Sequence, residues 1–345
     1  MLANAHRGAR CSLCEVERHD SRWSGVTRLI GIVACASSVF AACASAGTST
    51  DASVGSSTTE AVKAEESMVD VEGGVVRIRV VGPVDATDTL IAIHGGPGLS
   101  LEAMTVFENL ANPDRRVVSY DQRGAGRSTV PDDLDYSLDA HVADLEAVRD
   151  ALGADTVQLV GQSWGGAIAA AYAATHPDRV SALVLVGAVP LDRAEYLAGQ
   201  RRFQARVVEL QQLDMIDDDI PPIERGSCLA AFEAVLPAYL DDPTSDTPVT
   251  VTSCNAATSR ATYETFIADE SVSDYADRLA TFTSPTLLLA GESDIFGPDW
   301  ITRHSELLAG APTDTVLIPD AGHLVTAEQP DATLSAIEAF LRDHG

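Results

Sequence analysis

The stretch LVGQSWGG, residues 159–166, sets one serine between an apolar run and a pair of glycines. The run that leads into it, TVQLVG, is short and mostly apolar, as strands buried in a parallel sheet are. WGGAIAAAYAATHP, which follows the serine, is an alanine-rich helix that stops before Pro177. Gly161, Gln162, Ser163, Trp164 and Gly165 therefore spell G-x-S-x-G at a strand-to-helix turn. Such a turn forces its serine into a strained backbone conformation, and the flanking glycines leave room that a side chain would deny. Ser163 is expected at the carboxyl edge of a sheet, above the start of the helix.

The same rhythm extends outward from residue 66. GGVVRIRVVG alternates as a half-buried strand, while TLIAIHGG, RRVVSYD and ALVLVGA are short apolar runs. SLDAHVADLEAVRDALGA places Leu138, Val142, Leu145, Val148 and Leu152 at helical spacing. Strands alternating with helices imply an open α/β sheet. Near Pro190 the alternation breaks, and residues 191–280 carry helical patterns, the acidic run DMIDDDIPPIE and proline-containing connections. This segment is read as a helical cap inserted into the core. The rhythm resumes with SPTLLLAGESD, a helix around residues 299–309, DTVLIPDAGH and the closing helix DATLSAIEAFLRDH. The core is thus expected to comprise residues 66–190 and 281–345.

A serine hydroxyl is a poor nucleophile until a base takes its proton, so a histidine and an orienting carboxylate are expected. Asp294 follows one strand in LLLAGESDIFGP and His323 follows the next in VLIPDAGHLV, giving the order Ser, Asp, His. Glu292 and Asp320 also satisfy the spacing, and the turn directly after the strand favours Asp294. His94 is the other histidine close behind a strand, where it opens HGGPG. Two glycines there let backbone N–H groups approach a developing oxyanion. Gly96, with Gly95 as the alternative, and Trp164 are the expected donors, and His94 is expected to brace the loop. The pattern calls for no metal or organic cofactor.

Composition narrows the partners. A formal charge of -28 argues against a nucleic-acid surface, which needs clustered Lys and Arg. Residues 1–43 read as an export signal, because LIGIVACASSVFAA after Arg28 has the length of a signal-peptide apolar region and is too short to span a bilayer. The long segment before Arg28 suggests a translation start near Val26. Ala41 and Ala42 precede Cys43, an arrangement resembling the box at which bacterial lipoproteins are cleaved and lipidated, with Phe40 in place of the usual leucine. The expectation is an exported protein, either anchored to a membrane through a lipid on Cys43 or secreted after ordinary cleavage nearby. Residues 44–65 have the Ser, Thr, Gly and Ala composition of a flexible tether. Cys11 and Cys14 have C-x-x-C spacing without a second pair. After export only Cys228 and Cys254 remain beside Cys43, either as a disulfide or as two buried thiols.

HGGPG, DQRGAGRS, GQSWGG, GESD and AGH occur in the order found in the α/β-hydrolase-fold peptidases of the proline iminopeptidase type, and the chain resembles that family over residues 66–345. The resemblance implies an α/β-hydrolase fold and an aminopeptidase releasing N-terminal proline or other residues from small peptides. In DQRGAGRS, Asp121, Arg123 and Gly124 are read as a structural turn pinned by a charge pair. An exopeptidase must recognise a free ammonium, which calls for carboxylates in the cap. Tyr263 and Glu264 align with a tryptophan–glutamate pair that the family uses near that amine, which makes Glu264 the candidate anchor; Glu209, Glu224 and Glu233 are further cap acids. An esterase or lactonase with the same triad is the chemical alternative, and a non-catalytic binding protein of this fold is the other.

Overall fold

The computed structural model describes residues 64–129, 135–224, 226–297 and 299–344. Eight strands form one sheet: β1 (Glu65–Val71), β2 (Gly74–Val81), β3 (Asp88–Ile93), β4 (Arg115–Tyr120), β5 (Val157–Gln162), β6 (Val180–Val186), β7 (Thr286–Gly291) and β8 (Thr313–Ile318). They lie in the order β1-β2-β4-β3-β5-β6-β7-β8. β1 and β2 pair antiparallel at one edge, and the pairs from β4 to β8 are parallel. The chain leaves β3 toward β4 on one side and returns as β5 on the other, which opens a crevice at the carboxyl ends. Register aligns those ends, with Ile93 opposite Gly161 and Gln162 opposite Val186. Every residue of β5 and β7 is buried, which is why both read as continuous apolar runs.

Helix α1 (Leu138–Ala151) begins where the Ser137 hydroxyl accepts the Ala140 N–H, and it turns Leu138, Val142, Leu145 and Val148 into the core. Helix α2 (Trp164–Thr175) follows β5 directly and is buried along all but its last residue. Its alanines let the helix lie close on the sheet, with Gly166 against Ala188. Between β6 and β7 come α3 (Arg193–Gln212), α4 (Cys228–Val235), α5 (Ala256–Ala268) and α6 (Val272–Leu279), with no strand among the described residues. The chain closes with α7 (Trp300–Leu307), α8 (Val325–Glu328) and α9 (Pro330–His344).

The cap is fastened to the core at the start of α5. Asn255 caps that helix by accepting the Ala257 N–H, while its own N–H donates to the Gly98 carbonyl at 2.8 Å. Asn255 Nδ2 and Thr258 Oγ1 both donate to the Gly124 carbonyl, at 2.8 and 2.9 Å. HGGPG and DQRGAGRS therefore receive the cap as well as shaping the core. Cys228 and Cys254 are joined in a disulfide with Cα atoms 5.6 Å apart, linking α4 to the segment before α5.

Two elements go beyond the sequence patterns. β1 has only Val69 buried among its seven residues, so it carries no alternation to read. A 3-10 helix, Leu101–Leu110, follows the HGGPG loop and buries Leu101, Met104, Phe107 and Leu110. The expected export segment, Cys43 and the tether before residue 64 lie outside the described residues.

Replacing both cysteines, Cys228→Ser with Cys254→Ser, is expected to lower stability by about 2–4 kcal/mol, because the cross-link restrains the unfolded cap. Urea unfolding of the oxidised protein beside the double variant measures this; equal midpoints would show that the link adds nothing.

Candidate active site

Ser163 has φ 54° and ψ -119°, a conformation that favours glycine and costs about 1–3 kcal/mol for other residues. Three hydrogen bonds of 2.9 Å hold it there: its N–H donates to Val186 O, and its carbonyl accepts from the N–H groups of Gly166 and Val189. A Cβ on Gly161 would collide with the Gly165 carbonyl, and one on Gly165 with the Ile93 carbonyl. The two glycines let three backbones meet beneath the serine.

His323 and Asp294 reach the same point from the ends of β8 and β7. His323 Nε2 lies 2.9 Å from Ser163 Oγ, and His323 Nδ1 lies 3.0 Å from Asp294 Oδ2. The second carboxylate oxygen accepts the Phe296 N–H at 2.8 Å. Both side chains are almost wholly buried, at 4% and 3% exposure, so little water competes for these bonds. Glu292 and Asp320, the alternatives on spacing, are exposed. The sequence patterns did not single out Gly187, where a Cβ would stand 2.6 Å from Asp294 Oδ2 and 3.3 Å from His323 Nδ1. A glycine directly after β6 was the available signal.

The HGGPG loop lies beside the serine. A Cβ on Gly95 would stand 2.9 Å from Ser163 Cβ, so this glycine packs directly on the elbow, and Gly96 follows with φ 54°. His94 is fully buried; its Nδ1 lies 2.9 Å from the Gly95 carbonyl, its Nε2 accepts the Gln122 N–H at 3.2 Å, and its carbonyl accepts from Gln122 Nε2 at 2.6 Å. It braces the loop. Asp121 accepts the N–H groups of Leu101 and Arg127, each at 2.8 Å, and Arg123 forms a buried two-point pair with Asp144 at 2.7 and 2.8 Å. The turn is thus pinned by charge, through Asp144 of α1 rather than between Asp121 and Arg123. Trp164 is buried against His141, Phe266 and Tyr263.

Ser163 and His323 open into a cavity of about 630 Å³ between core and cap. Tyr196 and Phe203 of α3, Phe232 of α4, Tyr239 and Tyr263 of α5 form much of its cap wall. Among the described residues no Asp, Glu, Lys or Arg side chain lines it. Burial pushes the Tyr239 phenol up to about 12 and raises those of Tyr196 and Tyr263, as expected in a poorly hydrated space. Here the structure corrects the sequence reading: Glu264 is exposed and does not line the cavity. α5 turns Tyr263 toward the cavity, and the next residue, about 100° further round the helix, faces water. Glu209, Glu224 and Glu233 are exposed as well.

A family model described as alpha/beta hydrolase fold matches residues 88–330, more than half of the chain. The chain belongs to the α/β-hydrolase family. Its sequence is proline iminopeptidase-like: it is 28% identical over 278 residues to the proline iminopeptidase of Lactobacillus helveticus strain DPC 4571, covering 77% of this chain and 94% of that protein. The corresponding protein of Lactobacillus delbrueckii subsp. bulgaricus is 40% identical over 112 residues, 31% of this chain and 38% of its own. Among solved structures, proline iminopeptidase from Mycobacterium smegmatis aligns with a TM-score of 0.58 at 22% identity, covering 81% of this chain and 98% of that one. An esterase from Exiguobacterium antarcticum aligns with a TM-score of 0.58 at 19% identity, covering 81% and 100%. These structural likenesses describe the fold. Together with the sequence relatives, the family makes this chain a hydrolase whose sequence is proline iminopeptidase-like.

Burial holds three imidazoles below the ordinary histidine value of 6.5: His94, His141, which also faces Arg123, and His304, lowered to about 4. The folded chain keeps them neutral, while the unfolded chain takes up protons below 6.5. Their contribution to stability is therefore complete above that pH and is lost as the pH falls toward the folded-state values. The melting temperature is expected to drop between pH 7 and pH 5 in a thermal scan; a flat or rising profile would contradict the assignment.

Proposed function

We propose that the chain is a serine hydrolase working through an acyl-enzyme, and that its substrate is a small uncharged carboxylic ester. The hydrogen-bond chain from Ser163 through His323 to Asp294 carries the chemistry. Ser163 Oγ attacks the carbonyl carbon as His323 Nε2 takes its proton, and the bond to the leaving oxygen breaks as His323 returns that proton to it. Water then attacks the acyl-serine with His323 again as base, releasing the acid and restoring the hydroxyl. Asp294 holds the Nδ1–H and stabilises the imidazolium. The N–H groups of Gly96 and Trp164, neither paired with an acceptor among the described residues, hold the oxyanion.

The ester assignment follows from charge. An N-terminal ammonium entering this cavity would lose its hydration without finding a carboxylate among the described residues, whereas a neutral acyl group carries no such penalty. A second reading, release of N-terminal proline or other residues from peptides, is favoured by the iminopeptidase relatives. The disulfide supports export, with Cys43 lipidated or the chain secreted.

Hydrolysis of a short-chain aryl ester, proline and alanine aryl amides with free amines, and an N-blocked amide separates the two substrate readings. The ester is expected to be cleaved fastest, with kcat reduced about 1,000-fold or more in Ser163→Ala and in Asp294→Asn. Rapid cleavage of the free-amine amides without the ester would establish the peptidase reading instead.

A further inference from the structure

The His323 loop is held from the cap side as well as from the sheet. Glu328, the last residue of α8, accepts the Gly322 N–H on Oε2 and the Asp241 N–H on Oε1, both at 2.7 Å. Gly322 immediately precedes His323, whereas Asp241 lies in the strap that leaves the cap turn Leu236–Tyr239. The strap touches the triad loops at three further points. The His323 N–H donates to the Tyr239 carbonyl at 2.8 Å, and the Tyr239 ring lies 5.6 Å from the imidazole. Ser293, next to Asp294, hydrogen-bonds the Asp241 carboxylate. A Cβ on Gly322 would stand 2.9 Å from Asp241 N and would collide with the Tyr239 carbonyl, so strap and loop are packed without space between them.

We infer that Glu328 is a positioning residue that locks the cap strap to the His323 loop, so that the seat of the cap and the His323–Ser163 hydrogen bond are set together. The inference rests on the serine hydrolase reading. Its chemistry is specific to a carboxylate: two backbone N–H groups from separate segments each need an acceptor oxygen, and a glutamine supplies one oxygen and turns an N–H donor on the other. Burial raises the Glu328 carboxyl from its ordinary range, and the two N–H bonds and nearby His323 act the other way. Thr326 and Ala327 line the cavity and Glu328 does not, so its effect on the substrate passes through His323.

The test uses Glu328→Gln in the full chain. Turnover of the aryl ester is expected to fall at least about tenfold with KM within about twofold, because misplacement of a reacting group costs rate rather than binding. The rate at which a fluorophosphonate labels Ser163 is expected to fall by a similar factor. An unchanged kcat, or a raised KM at unchanged kcat, would overturn the inference. Should Glu328→Gln fail to fold, Ser293→Ala loosens the strap at its other anchor, and there a several-fold loss of kcat at constant KM supports the coupling while full activity contradicts it. A wild-type protein that the fluorophosphonate leaves unlabelled would overturn the serine mechanism, and this inference with it.

Discussion

Everything at the site depends on how closely three backbones approach beneath Ser163. Gly165 sits against the Ile93 carbonyl at the end of β3, and Gly161 against the Gly165 carbonyl at the end of β5. No Cβ fits at either place, and Ser163 stands at the top of the turn in a conformation that glycine would adopt more readily. The strain is balanced by three bonds: one to Val186, where the pairing of β5 and β6 ends, one from Gly166 in the first turn of α2, and one from Val189 just past β6. The sheet fixes Ser163, and the ends of β7 and β8 deliver Asp294 and His323 to it.

The cap contributes a different kind of control. It presents aromatic rings and a disulfide to the cavity, and among the described residues none of its acids lines that space, although the chain as a whole is strongly acidic. A net charge of -28 therefore says little about the space in which a substrate would sit. The two segments most specific to the iminopeptidase resemblance, HGGPG and DQRGAGRS, hydrogen-bond the start of α5. They describe how the cap is seated rather than what it recognises, which is how iminopeptidase-like sequence coexists with a cavity that no carboxylate lines among the described residues.

Legibility in the sequence follows the same division. β3 to β7 were readable because a parallel sheet buries both faces of its inner strands, and Ser163, Asp294 and His323 were readable because each stands a few residues past a strand. β1 was not, since one buried valine makes no pattern. In the cap, α3 buries only Tyr196, Gly199 and Leu210 over twenty residues, as one side borders the cavity and the other faces solvent. Glu264 was misread for a local reason: motif alignment finds the pair with Tyr263, but the rotation of α5 decides which of the two faces inward. Glu328 and Tyr239 act through the path of the strap, which no spacing along the chain encodes.

Acylation of Ser163 is the step on which the mechanism turns. It is tested most directly by mixing the protein with a p-nitrophenyl ester, quenching in acid within the first turnover, and reading the intact mass and the modified peptide. One acyl increment is expected, on the peptide containing Ser163 and absent from Ser163→Ala. Release of product with no covalent increment, or an acyl group carried on another residue, would contradict it.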